Sequence, residues 1–171
     1  MREESRYWGT SQVATILGAE AWRVKNFAAE AYGLPPSLLV GAGKRKTRLY
    51  SVPDVLRLAV ANELERCGFD PPAIGQAVRE IPESLLLEWS GRFVEATAAA
   101  SKGGRPKADS LPMLCSVAGE WHVLKAREAR ATVEKALEFD GDSRAVVVLN
   151  LTALFADTIR RTTELESEGR I

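Results

Sequence analysis

"RLYSVPDVLRL", residues 48–58, decides how the rest of the chain is read. Ser51 and Asp54 form a capping box of the S-x-x-D kind, and Pro53 suits the first turn of a helix, where a missing N–H costs nothing. Val55, Leu58, Ala61, Leu64 and Cys67 then recur every third residue, which predicts one apolar helix face with Cys67 as a buried small hydrophobe, and Gly68 closes the helix. Asp70 followed by Pro71 and Pro72 is a second helix start, leading to a helix that buries Ile74, Ala77 and Val78. Upstream lies "SLLVGAGKRKTRLYS", with apolar residues on both sides of a glycine-led tip, which predicts a β-ribbon. The tip is basic, carrying Lys44, Arg45, Lys46 and Arg48 within five residues.

Working back towards the N-terminus, Thr10 or Ser11 can cap a short helix that places Val13, Ile16 and Leu17 on one face and ends at Gly18. A second helix is expected over Glu20 to Ala31, with Trp22, Val24 and Phe27 packing inward and Arg23, Lys25 and Asn26 left outside. Two helices separated by a tight turn make a helix-turn-helix candidate.

The order helix, turn, helix, basic ribbon, helix, helix resembles the winged-helix DNA-binding domain of the MerR family of bacterial transcription regulators. The similarity runs from Tyr7 to Ile81, about half the chain, and is densest at "RLYSVPDVLRL" and its continuation "ELERCGFDPPAI". It implies that the second helix enters a major groove, where Arg23, Lys25 and Asn26 have the donors and acceptors to read base edges. It also implies that Lys44, Arg45, Lys46 and Arg48 reach phosphates from the wing, with Tyr50 shared between wing packing and a phosphate hydrogen bond. At the place of the family's Arg-Tyr-Tyr-like run the chain has Lys25, Asn26 and Phe27, keeping the charge and one aromatic ring. Family members commonly continue into a long dimerisation helix. Here Pro82, Gly91 and β-like segments argue against an uninterrupted helix after Ile81.

The second half has a different character. "LLLEWSGRFVEAT" reads as a hairpin turning at Ser90-Gly91 or as a broken helix, and "SKGGRPKADS" as a polar linker. The Gly-Arg-Pro core of that linker is like an AT-hook without its preceding arginine, and a basic tether is the reading preferred. Two strands around Ala118-Gly119, a helix over "REARATVEKALEF", a strand in "RAVVVLNL" after the Asp140 to Asp142 turn, and a closing helix follow. The expected fold class is α+β. A winged helix-turn-helix domain spans residues 1–81, a connecting segment with a basic linker residues 82–110, and a small α/β domain for oligomerisation or sensing residues 111–171.

Composition bounds the function. The chain of 171 residues has 23 basic and 23 acidic side chains, so any nucleic-acid role rests on a local patch. Cys67, Cys115 and His122 do not have zinc-ligand spacing, His122 is expected to pack structurally, and no cofactor or metal is expected. The start lacks a signal-peptide apolar region and the longest apolar run is too short to span a bilayer, which predicts a cytoplasmic, nucleoid-associated protein with no membrane partner. No phosphate loop, nucleophile elbow or paired carboxylates at a catalytic spacing argue for an enzyme. The expected partners are double-stranded DNA and a second copy of the chain, bound through residues after Leu111, where the strand and the stripe of Leu154, Phe155 and Ile159 are most apolar. A phage or mobile-element DNA-binding factor is the alternative, and an enzyme merely targeted by a winged helix is a weaker one.

Overall fold

The computed structural model describes residues 6–29, 31–41, 46–98, 111–117, 120–138 and 147–171. Lys44 and Arg45 of the wing tip, the "SKGGRPKADS" linker, the Ala118-Gly119 turn and the Asp140 to Asp142 turn lie outside the described residues.

Among those residues the chain is a mixture of helices and two small antiparallel sheets. A two-residue strand β1 (Trp8–Gly9) leads into α1 (Thr10–Leu17), which ends on Gly18 at φ 62°, a left-handed conformation that glycine adopts without strain. Helix α2 (Ala21–Phe27) is shorter than expected. It is followed by the wing strands β2 (Leu38–Val40) and β3 (Thr47–Tyr50), which pair antiparallel with Leu39 opposite Arg48. Strand β1 adds to the far side of β3, giving the order β1-β3-β2 and setting Trp8 opposite Tyr50.

Helix α3 (Val52–Arg66) begins at the capping box read from the sequence. The Ser51 N–H donates to an Asp54 carboxylate oxygen at 2.9 Å, and the Asp54 N–H donates to Ser51 Oγ at 3.4 Å. The same carboxylate accepts from the Ser37 N–H at 3.0 Å, so the residue that starts α3 also fixes the entry to the wing. Leu56, Val60 and Ala61 are buried along with Val55, Leu58 and Leu64, as befits a helix surrounded by others. Cys67, in contrast, is exposed. A three-residue spacing falls about 60° short of a turn at each step, so a stripe that is buried at Val55 has rotated out of the core by Cys67.

Helix α4 (Pro71–Arg79) starts where Asp70 accepts the Ala73 N–H at 2.9 Å. It crosses the turn after α2 so closely that a Cβ on Gly75 would stand 2.4 Å from the Tyr32 carbonyl oxygen. The segment expected to be a hairpin or broken helix is instead one helix, α5 (Glu83–Ala98). Pro82 precedes its first turn, where proline is tolerated, and Ser90 donates to the Leu86 carbonyl at 2.7 Å rather than turning the chain. Burial of Leu86 and Trp89 outweighs the cost of about 1 kcal/mol for Gly91 within a helix.

Beyond it, β4 (Pro112–Val117), β5 (Glu120–Lys125) and β6 (Val147–Asn150) form a sheet of order β5-β4-β6 in which both pairings are antiparallel. The α/β expectation for this half is therefore corrected to α+β. Helix α6 (Ala126–Glu138) packs on β4 and β5, and α7 (Leu151–Ser167) starts directly from β6, with Asn150 accepting the Ala153 N–H at 3.0 Å. Helix α7 then returns across α1, α3 and α5. Leu151, Phe155, Ile159 and Leu165 join Val13, Ile16, Leu56 and Val60 in one apolar cluster, with the Trp89 and Phe155 rings 6.0 Å apart, edge to face. Arg6 pairs with Glu166 at 2.8 Å. Much of the apolar stripe expected to drive self-association is thus covered by the chain's own helices. Among the described residues no helix is long and apolar enough to cross a membrane.

Candidate nucleic-acid interface

Helix α2 turns about 100° per residue, which divides its seven residues sharply. Val24 and Phe27 are fully buried, and Phe27 meets the Tyr32 ring edge-on at 5.1 Å. Opposite them, Trp22, Lys25 and Asn26 share the exposed face. Lys25 and Asn26 fall where the sequence predicts. Trp22 does not: expected in the core, it is 57% exposed, because the inward side of so short a helix is filled by Val24 and Phe27.

Arg23 also departs from expectation. Its Nε lies 3.0 Å from Glu65 Oε2, off the axis of an aligned hydrogen bond, so the contact is an ion pair on the flank of α3. Glu65 accepts as well from the Tyr32 hydroxyl at 2.8 Å. Arg23 is therefore drawn sideways and away from the outward face where Lys25 and Asn26 stand. Burial, then the bond to Glu65 and its charge, push the Tyr32 pKa up to about 12.

The wing is locked to this helix. An Arg48 guanidinium N–H donates to the Lys25 carbonyl at 3.0 Å, sharing that oxygen with the Ala28 N–H at 3.3 Å in the last turn of α2. Tyr50 is 0% exposed, which corrects the expectation of a phosphate contact. Its ring belongs to the shared core, beneath Thr10 and Arg48. Burial pushes the Tyr50 pKa up, and the nearby Thr10 hydroxyl and Arg48 pull it back. The part of Tyr50 is to seat the wing.

Between these elements runs an open cleft of about 680 Å³, lined by Thr10, Ser11 and Gln12 at the start of α1, by Lys25 and Asn26, and by Lys46, Thr47 and Arg48 of the wing. Three cations and the positive end of α1 face it with no carboxylate in its lining. That combination suits a polyanionic backbone. Sequence reasoning missed the α1 contribution and β1. Thr10 and Ser11 pointed to a helix start, but neither caps it: the N-cap is Gly9, whose N–H donates to Gln12 Oε1 at 2.8 Å, and two residues of strand carry almost no signal.

A second hollow of about 410 Å³ lies on the side of Pro35, Asp54, Arg57 and Arg79. Its polar groups are engaged in structure, Asp54 with Ser37 and Ser51 and Arg57 with Glu83. His122 is exposed on β5, with Nε2 3.8 Å from Glu120, where packing was expected. Cys115 beside it in the register is buried, which pushes its thiol pKa up and away from the reactive thiolate. Among the described residues no cluster of three or more His, Cys, Asp or Glu side chains is arranged to hold a metal ion.

No known family model matches the chain, and no curated protein is significantly similar to it.

Proposed function

We propose that the protein is a sequence-specific DNA-binding transcriptional regulator built on a MerR-like winged helix-turn-helix, acting in the bacterial cytoplasm on the nucleoid. The observation that carries this reading is the cleft in which the outward face of α2 and the wing cations Lys46 and Arg48 are turned towards one space. Lys25 and Asn26 read base edges from the major groove, and the wing and the first turn of α1 hold the adjoining phosphates. Lys44 and Arg45 extend the basic wing in sequence and add to the same phosphate contacts.

One winged helix covers few base pairs, so the regulator works as a homodimer on a two-part site, joined through residues after Leu111. With Phe155 and Ile159 buried within the chain, the surface that supports this pairing is the outer edge of β6, where Val148 is 42% exposed. Light scattering on the full chain at micromolar concentration gives a dimer mass if this is right and a monomer mass if it is not.

Genomic immunoprecipitation followed by a shift assay on the recovered site tests the DNA reading. Alanine at Lys25 and Asn26 is expected to weaken the preferred site by about 1–3 kcal/mol per lost base contact, with little change on random duplex. Failure of the wild-type protein to bind any duplex at low salt would overturn it.

A further inference from the structure

The four tryptophans of the chain have unequal fates: Trp8, Trp89 and Trp121 are 4%, 7% and 3% exposed, and Trp22 is 57% exposed. A single exposed apolar side chain is ordinary on a protein surface and would mean little by itself. Two further observations give this one a role. The first is its place. Trp22 sits one turn before Lys25 and Asn26, at the i and i+3/i+4 spacing that stacks side chains on one helix face, so the indole lies at the N-terminal end of the outward face of α2.

The second is its support. The Arg23 guanidinium carbon stands 5.9 Å from the centre of the indole ring, at the outer range of a cation–π contact. Arg23 is itself held by Glu65 at 3.0 Å, and Glu65 by the Tyr32 hydroxyl at 2.8 Å. A relay of three polar side chains thus runs from the flank of α3 to the back of a ring that would otherwise be free to turn. The ring is presented outward by the fold, beside cations, where a polyanionic partner is favoured over an apolar protein surface.

The geometry points to Trp22 as a specificity-determining residue that packs its indole on the C5-methyl group of a thymine in the major groove. Of the groups that base edges display in that groove, the thymine methyl is the apolar one, and a flat apolar ring flanked by Lys25 and Asn26 complements a thymine next to the bases those two residues read. Arg23 is then a positioning residue, which accounts for its turning from the groove towards Glu65. This inference rests on the DNA-binding reading given above.

The test uses the full chain and its own selected duplex, with each thymine of the site replaced in turn by deoxyuridine, which removes only the methyl group. Fluorescence anisotropy of the labelled duplexes is expected to show one thymine position at which the replacement weakens wild-type binding about fourfold, the effect of burying one methyl-sized group. In Trp22→Ala that position becomes indifferent to the replacement, while affinity for random duplex stays within about twofold of wild type. Trp22→Phe retains part of the discrimination, and Arg23→Gln blurs it without loss of random-duplex binding. Acrylamide quenching of the unmodified protein gives a readout without substitution: the accessible indole should become protected when the selected duplex is added. If wild type binds its site but no thymine shows a methyl effect that Trp22→Ala abolishes, or if quenching is unchanged by the duplex, the inference fails and the DNA-binding reading stands. A Trp22→Ala variant that keeps its DNA preference but loses self-association would make the face a protein contact and also overturn it. Wild-type protein that binds no duplex at low salt overturns both.

Discussion

The two three-stranded sheets of the molecule are antiparallel throughout and have opposite surroundings. In β1-β3-β2 the strands are two, four and three residues long, and Leu38, Leu39 and Val40 of the edge strand are all at least 41% exposed. In β5-β4-β6 the consecutive residues Leu114 and Cys115, which point to opposite faces, are both 0% exposed. A sheet whose central strand is buried on both sides is scaffold. A sheet with an uncovered strand, held in place by Tyr50 beneath it and by Asp54 at its entry, is a platform for what it displays, here Lys46 and Arg48. Substitutions should therefore separate cleanly: those around the second sheet change stability, and those on the first change binding.

The largest effect expected is at Phe155, where α7 meets Trp89 in the shared core. Phe155→Ala should lower unfolding free energy in urea by about 3–5 kcal/mol, the usual cost of emptying a buried aromatic site. A loss below about 1 kcal/mol would mean that α7 and the second sheet are not integral to the fold. Gly75→Ala comes next, because its new methyl group would meet a backbone carbonyl that cannot swing aside. A loss of about 1–3 kcal/mol is expected, read as a lower thermal midpoint with α4 displaced from Tyr32.

On the first sheet the balance reverses. Lys46→Ala together with Arg48→Ala should lower stability by no more than about 1.5 kcal/mol, the net worth of the Arg48 bond to the Lys25 carbonyl. The slope of log affinity against log salt should fall by about 2, close to one unit for each phosphate contact removed. An unchanged slope would remove the wing from the interface. The smallest effect concerns Tyr32, whose pKa rises from 10.0 to about 12. A raised pKa in the folded state means that the neutral hydroxyl is the form that stabilises. Its contribution is complete below about pH 10 and is lost as pH climbs through about 12, when a phenolate would face the Glu65 carboxylate. Tyr32→Phe should flatten the fall in stability across that window, and a spectrophotometric tyrosine titration checks the late ionisation directly.

What the sequence disclosed followed from local chemistry. Ser51 with Asp54, and Asp70 with Pro71, announce helix starts because the capping groups are adjacent in the chain, and both helices begin there. The wing was legible because a glycine-led tip separated two apolar arms. What stayed hidden depended on distant partners. Arg23 looks like a free groove cation until Glu65, far along the chain, claims it, and Trp22 looks like core until Val24 and Phe27 are seen to fill the inner side of a two-turn helix. Ser90-Gly91 spells a turn locally and is overruled by Leu86 and Trp89 packing against α7. Strand β1 is too short to have a period and exists because Trp8 finds Tyr50 across the sheet.

The contact of α7 with α1 has a consequence for how the protein is made. Gly18, which ends α1, has the Arg161 guanidinium of α7 packed so close that an added Cβ would lie 2.9 Å from it. A ribosome delivers α1 and α3 before α7, so Val13 and Ile16 of α1 and Val60 of α3 leave the tunnel still lacking the helix that covers them. Contacts so distant along the chain are slow to form, and exposed apolar surface invites association with other nascent chains. Holdase chaperones, which favour such surface, are expected to act on this protein until α7 emerges.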